Sequence, residues 1–231
     1  MTLETIETWL AGAGAWALGL RQMLQPMLQG TLVSIELFFL TLLFAVPLAL
    51  PVALGRMSPW RPLRRVVNAY LLVMRGTPLI LQILFVYFAP YYLFKSTPFS
   101  RFAAVVVAFV VNYAAYFAEI YRGGIEAIPR GQHEAAKVLG FSPWQTFQRI
   151  ILPQVVKRIV PASANEVITL VKDTALAQTI GVAELFRAAQ TISARQFSVL
   201  PIFVAGAFYF VMNWVVSISF EKLERRLDYY R

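Results

Sequence analysis

The sequence predicts an all-α integral membrane protein with five transmembrane helices, and three observations predict it. Hydrophobic residues make up 58% of the 231-residue chain, charged residues only 14%, and the mean hydropathy is +0.61, outside the range of ordinary soluble domains. Apolar runs long enough to cross a hydrocarbon core of about 30 Å recur along the chain. The basic residues, which give a net charge of +9, collect between those runs and not in one block interleaved with stacking aromatics, a pattern of membrane topology that excludes nucleic acid as the partner.

In chain order, residues 1–29 hold Trp9, Trp16 and scattered Gly and Leu. This suits an N-terminal segment on the outer, periplasmic side, lying as a helix at the interface. Glu4 and Glu7, with no positive charge before Arg21, argue against a signal peptide. Residues 30–55 form the first expected span, with Glu36 its only charge and Pro47 and Pro51 as expected kinks. A loop with Arg56, Arg61, Arg64 and Arg65 follows. The next apolar run is interrupted by Arg75-Gly76-Thr77-Pro78, so the second span is placed at 77–94, with Arg75 as a snorkelling anchor and Tyr87 to Tyr92 at the opposite interface.

The third span is expected at 102–121 and the fourth at 159–180. The fourth is polar, carrying Pro161, Asn165, Glu166, Lys172 and Asp173, and must face protein or a watery cavity, because a charge at mid-bilayer costs at least about 2.5 kcal/mol. Residues 181–197 read as an amphipathic connector, 200–220 as the fifth span, and 221–231 as a charged tail. Together 30–220 make one transmembrane domain with a polar loop at 122–158. With the N-terminus outside, fifteen of the 21 Lys and Arg residues fall on the inner side, so the loop and the C-terminus are expected in the cytoplasm.

The loop has its own local grammar. Pro129 suits a first helical turn, Gln132 to Leu139 favour helix, and Gly140 stands where a helix ends on a left-handed residue. Ser142, Pro143 and Gln145 match a capping box that starts a second helix, which Pro153 then disturbs. The expected result is a bent helix-turn-helix with a small-residue face.

Inside the spans, Asn112, Tyr116 and Glu119 recur at i, i+4 and i+7 and share one helical face, which could line a cavity or simply pack. Asn165 and Glu166 are either hydrogen-bonding glue between helices or a receptor for a cationic amino group. Lys172 and Asp173 are adjacent, point about 100 degrees apart and need separate partners, as structural ion pairs or a gate near the outer surface. No catalytic or metal-binding residue is expected. The chain has no cysteine and one histidine, His133, read as a loop surface residue; nor does it have a Gly-x-x-x-x-Gly-Lys-Ser/Thr loop to cradle nucleotide phosphates.

The run from Gly131 to Gly140, Gly-Gln-His-Glu-Ala-Ala-Lys-Val-Leu-Gly, followed by Ile151-Leu152-Pro153, resembles the EAA loop of membrane subunits of bacterial ATP-binding-cassette importers. Arg75-Gly76-Thr77-Pro78, Tyr121-Arg122-Gly123-Gly124-Ile125, Asn165-Glu166 and Lys172-Asp173-Thr174 are similar to the polar amino acid branch, the glutamine, histidine and arginine type. The resemblance implies a type I ABC importer permease fold in the bacterial cytoplasmic (inner) membrane. Its EAA loop would be a cytoplasmic coupling helix, with Glu134, Ala135, Ala136 and Gly140 as the ATPase-coupling residues. It further implies ABC ATPase subunits that hold the ATP and Mg, so that no cofactor is bound by this chain. A second permease copy or homologous permease is implied, as is a periplasmic or lipid-anchored amino acid-binding protein, with connector 181–197 as a candidate contact. The function implied is ATP-driven import of a polar amino acid by alternating access. The alternative is a gradient-driven secondary carrier, which calls for paired repeats with broken helices, and no repeat is visible in the sequence.

Overall fold

The computed structural model describes residues 3–95 and 100–227; residues 96–99 of the third connection and 228–231 of the expected tail lie outside them. Every regular element among the described residues is helical. The order is α1 (Leu3–Met57), α2 (Arg61–Gly76), α3 (Leu79–Phe94), α4 (Arg101–Glu126), α5 (Arg130–Val138), α6 (Pro143–Thr146), a π turn (Phe147–Ile151), α7 (Leu152–Asp173), a 3-10 stretch (Thr174–Ile180), α8 (Leu185–Gln196) and α9 (Leu200–Leu227).

The bundle is built around α4, which buries Ala104, Val105, Ala108, Phe109, Tyr113, Ala114, Ala115, Phe117 and Ala118 and packs against α1, α2, α3 and α7. Its main neighbour is α1. There Gly30, Ser34, Leu37, Thr41, Ala45, Ala49 and Ala53 are buried at spacings of three and four, one face of a helix. In lipid no hydrophobic force drives helices together, and small residues on such a face allow the close approach that dispersion contacts require.

α1 differs from the expected division at residue 30. It runs unbroken from the segment expected at the interface into the span, through Pro26, Pro47 and Pro51. The 39 residues from Gly19 to Met57 make a rod of about 58 Å, roughly twice the hydrocarbon thickness, so part of it stands clear of the apolar core. Tertiary contact accounts for the continuity. Met23 and Met27 pack with Leu185, Ala189 and Ala205, and a Cβ on Gly30 would meet the backbone of Glu184 and Leu185 at 2.8 Å.

The second expected span also changes. α3 has 16 residues, about 24 Å, too short to cross alone. It continues α2 across a 111° bend at Thr77-Pro78, and the pair can form one broken crossing. Pro78 holds Thr77 extended (φ −120°, ψ 146°), which ends α2. The carbonyls freed by the break are met by side chains. The Asn112 amide donates to Met74 O at 3.0 Å, and Gln82 Nε2 donates to Met74 O at 3.0 Å and Thr77 O at 3.2 Å. A non-helical turn at membrane depth is tolerated only with such partners. Asn112→Leu is therefore expected to cost about 1–3 kcal/mol, the scale of a buried polar group left unpaired, and to lower the thermal midpoint of the detergent-purified protein.

Among the described residues, three helical stretches are long and apolar enough to cross a membrane, Gly19–Met57, Arg101–Glu126 and Leu200–Leu227, or four crossings with the bent pair. α7 is too polar to be counted on that ground, although with its 3-10 extension it has the length. The extension ends at Gly181 (φ 84°), packed beside the Arg101 guanidinium.

Candidate functional site

α2, α4 and α7 border an open cavity of about 600 Å³ whose wall includes Arg75, Thr77, Asn112, Tyr113, Tyr116, Glu166, Thr169 and Asp173. Glu166 and Asp173 are seven residues apart on α7, two turns along one face. Tyr113 donates its hydroxyl proton to Asp173 Oδ2 at 2.7 Å. Opposite them the bend delivers Arg75, whose guanidinium lies over the Tyr116 ring, 5.6 Å from its centre. The cavity thus offers a cation and two carboxylates to one solute. It can hold a dipolar molecule with both ends charged.

Arg75 also faces a second cavity of about 450 Å³, lined by Arg56, Asn68, Leu71, Leu72, Gly76 and Glu119. Glu119 gathers three cations: Arg122 at 2.9 Å from its own helix, Arg56 at 3.4 Å from α1 and Arg75 at 3.6 Å from α2. Arg56 also donates to the Asn68 side chain, and Arg122 reaches Glu126.

The polar loop forms the helix-turn-helix that its residues predict. α5 closes in a Schellman arrangement, with Gly140 at φ 77°, Gly140 N donating to Lys137 O at 3.1 Å and Phe141 N to Ala136 O at 3.0 Å. The capping box of Ser142 and Gln145 is complete. The disturbance expected at Pro153 takes the form of a π turn just before it, where the wider ring accommodates the missing N–H donor. Ile128, Ile151 and Val155 bind the loop to the ends of α4 and α7, and Gln154 donates to Gln132 at 3.3 Å. Ala136 is buried, while Glu134, Ala135 and Gly140 are exposed. Beside them stand exposed apolar side chains, Val138 (87%), Leu139 (72%) and Trp144 (64%), with Trp144 stacked on Phe147.

Of the residues singled out from the sequence, the larger cavity brings together Asn112, Tyr116, Glu166 and Asp173. Glu119 borders the neighbouring cavity instead, one turn beyond Tyr116. Asn165 points away from both and is exposed, as is Lys172. Asp173 takes a hydrogen bond from Tyr113. Arg75, read as a snorkelling interfacial anchor and left out of the site residues, is ion-paired and lines both cavities. The available signal was Glu119, a carboxylate inside an expected span that requires a counter-charge. Tyr113 and Gln82 were also missed, and so was Glu184. This fully buried carboxylate caps α8 by accepting from Phe186 N and Arg187 N, both at 2.7 Å, and takes the Tyr209 hydroxyl at 2.9 Å.

Comparison with known proteins adds four findings. A family model described as binding-protein-dependent transport system inner membrane component matches residues 45–229. The chain is 42% identical over 226 residues, 96% of its length and 94% of the relative's, to the L-cystine transport system permease protein TcyB of Bacillus subtilis (strain 168). It is 41% identical over 163 residues, 70% of its length and 74% of the relative's, to the glutamine transport system permease protein GlnP of Escherichia coli (strain K12). Among solved structures it superimposes on one described as an amino acid ABC transporter with histidines, with a TM-score of 0.83, 35% identity, and coverage of 90% of this chain and 97% of that one.

Proposed function

The chain belongs to the family of binding-protein-dependent transport system inner membrane components, and we propose that it is the permease subunit of an ATP-driven importer for a polar amino acid. The observation that carries the substrate class is the cavity with charges of both signs between α2, α4 and α7. An amino acid is a dipolar ion. Its ammonium group is received by Glu166 and Asp173, its carboxylate by Arg75, as charge-assisted hydrogen bonds. The relatives named for cystine and glutamine transport agree with this class. Nothing among them supports the gradient-driven carrier weighed as the alternative.

In this reading the chain makes five crossings of the inner membrane, with α2 and α3 forming one and α7 with its 3-10 extension another. The count of basic residues orients the N-terminus outward and α5, α6 and the C-terminus toward the cytoplasm. The helix-turn-helix is the coupling element. Glu134, Ala135, Ala136 and Gly140 shape its approach to an ATPase subunit that supplies ATP and Mg, while Val138, Leu139 and Trp144 provide the apolar contact. Because the π turn runs directly into α7, movement of the loop reaches Glu166 and Asp173 through one continuous rod. A second permease copy or a homologous one, and an amino acid-binding protein outside, complete the assembly.

The test is to co-express the chain with candidate ATPases, reconstitute the complex and measure uptake over a panel of amino acids. ATP-dependent uptake is expected; uptake that ignored ATP and followed a proton or sodium gradient would overturn the reading. Glu166→Gln is expected to raise the half-saturating concentration about tenfold, the scale of one charge-assisted hydrogen bond, without changing assembly. Unchanged kinetics would return Glu166 to a structural role.

A further inference from the structure

We propose that the Arg75–Glu119 ion pair is the barrier between the two cavities, and that the carboxylate of the transported solute opens it by competing for Arg75. The inference rests on the transport reading above. Arg75 and Gly76 are the two residues that line both cavities, so the Arg75 guanidinium stands at their shared border, beside a residue with no side chain. Three features suit that guanidinium to leave.

Its pair with Glu119 is the longest of the three, 3.6 Å against 2.9 and 3.4 Å, and it is the most exposed of the arginines involved, at 45%. A solute carboxylate in the larger cavity can offer a forked, two-bond contact that Glu119 does not make. Glu119, only 15% exposed, keeps Arg122 and Arg56 when Arg75 departs, so no buried carboxylate is stranded without a cation. The switch therefore moves one side chain and leaves α1, α2 and α4 tied together. It also gives the smaller cavity a role, as the vestibule through which the solute leaves toward the end of the bundle that carries the coupling loop.

Two measurements on the reconstituted permease–ATPase complex test this, and neither needs ATP turnover. The chain has no cysteine, so Leu176→Cys, at a half-buried position, places this chain's one thiol in the wall of the larger cavity alone. A membrane-impermeant thiol reagent applied from the coupling-loop side is expected to label it slowly, and several-fold faster when Arg75→Gln removes the barrier. Arg75→Gln leaves Glu119 neutralised, which keeps the bundle intact. Equal labelling rates overturn the barrier.

The second measurement is equilibrium binding of L-cystine and L-glutamine, each beside its α-amide. If solute and Glu119 compete for Arg75, Glu119→Gln tightens binding of the free acid about fivefold, the scale of one partly exposed ion pair. It leaves the amide unchanged and has no effect in an Arg75→Gln background. Tightening of neither acid, or of acid and amide alike, overturns the competition. Failure of the transport reading itself is separate, since it appears as absent ATP-dependent uptake in the unaltered complex.

Discussion

Replacing Val138 and Leu139 together with aspartate is expected to weaken association with the proposed ATPase subunits by two orders of magnitude or more, with membrane insertion unchanged. Both side chains are largely exposed, at 87% and 72%, on a loop that also exposes Trp144. Fully burying one such side chain is worth about 1.5–3 kcal/mol. Two at the lower figure amount to about 3 kcal/mol, which is already more than a hundredfold in affinity. The loop's own fold does not depend on them, because it is fixed by the Gly140 turn, the Ser142–Gln145 box and Ile128, Ile151 and Val155 beneath. Binding of the purified ATPase to reconstituted permease, with ATP-driven uptake measured in parallel, reads the effect. Wild-type affinity in the double variant would assign docking to another surface.

Glu184→Ala is expected to be the most damaging single substitution for the bundle itself. Glu184 is fully buried and joins two helices: it accepts two backbone N–H groups of α8 and the hydroxyl of Tyr209 on α9. Removing it strands those donors where no lipid group can replace the lost acceptor. At about 1–3 kcal/mol for an unsatisfied buried group, partly relieved by relaxation, the loss is about 2–4 kcal/mol. For a chain of this size that corresponds to roughly 10 °C in thermal midpoint. Glu184→Gln keeps an acceptor oxygen and should recover about half of the loss. A midpoint for the alanine variant equal to wild type would show that water reaches the site and that the carboxylate is not a structural tie.

How much was legible in the sequence followed the range of the interactions involved. The helical class and the crossings of α4 and α9 stood in uninterrupted apolar runs, because burial in lipid is decided residue by residue. The turn at Gly140 and the box at Ser142 stood there too, since each closes within four residues. The bend at Thr77-Pro78 was visible as an interruption, yet its consequence was not. Whether α2 belongs to the crossing depends on Asn112, which reaches Gln82 from 30 residues away.

The cavity was half legible. The helical period put Asn112 and Tyr116 on one face, but it extended that face to Glu119, which the arginines of three helices draw into a separate cluster. Asn165 and Glu166 were read together as neighbours in sequence, and the turn of α7 parts them, one outward and one into the cavity. The sequence by itself determined what is local: a greasy helical chain, the polar helix carrying Glu166 and Asp173, and the bent loop before it. Only the tertiary structure decided which charges meet, that Arg75 faces Glu119 and that Tyr113 holds Asp173 across 60 residues. The reason is electrostatic, because a charge in an apolar medium is placed by its nearest counter-charge in space, and nothing in its own neighbourhood along the chain specifies where that will be.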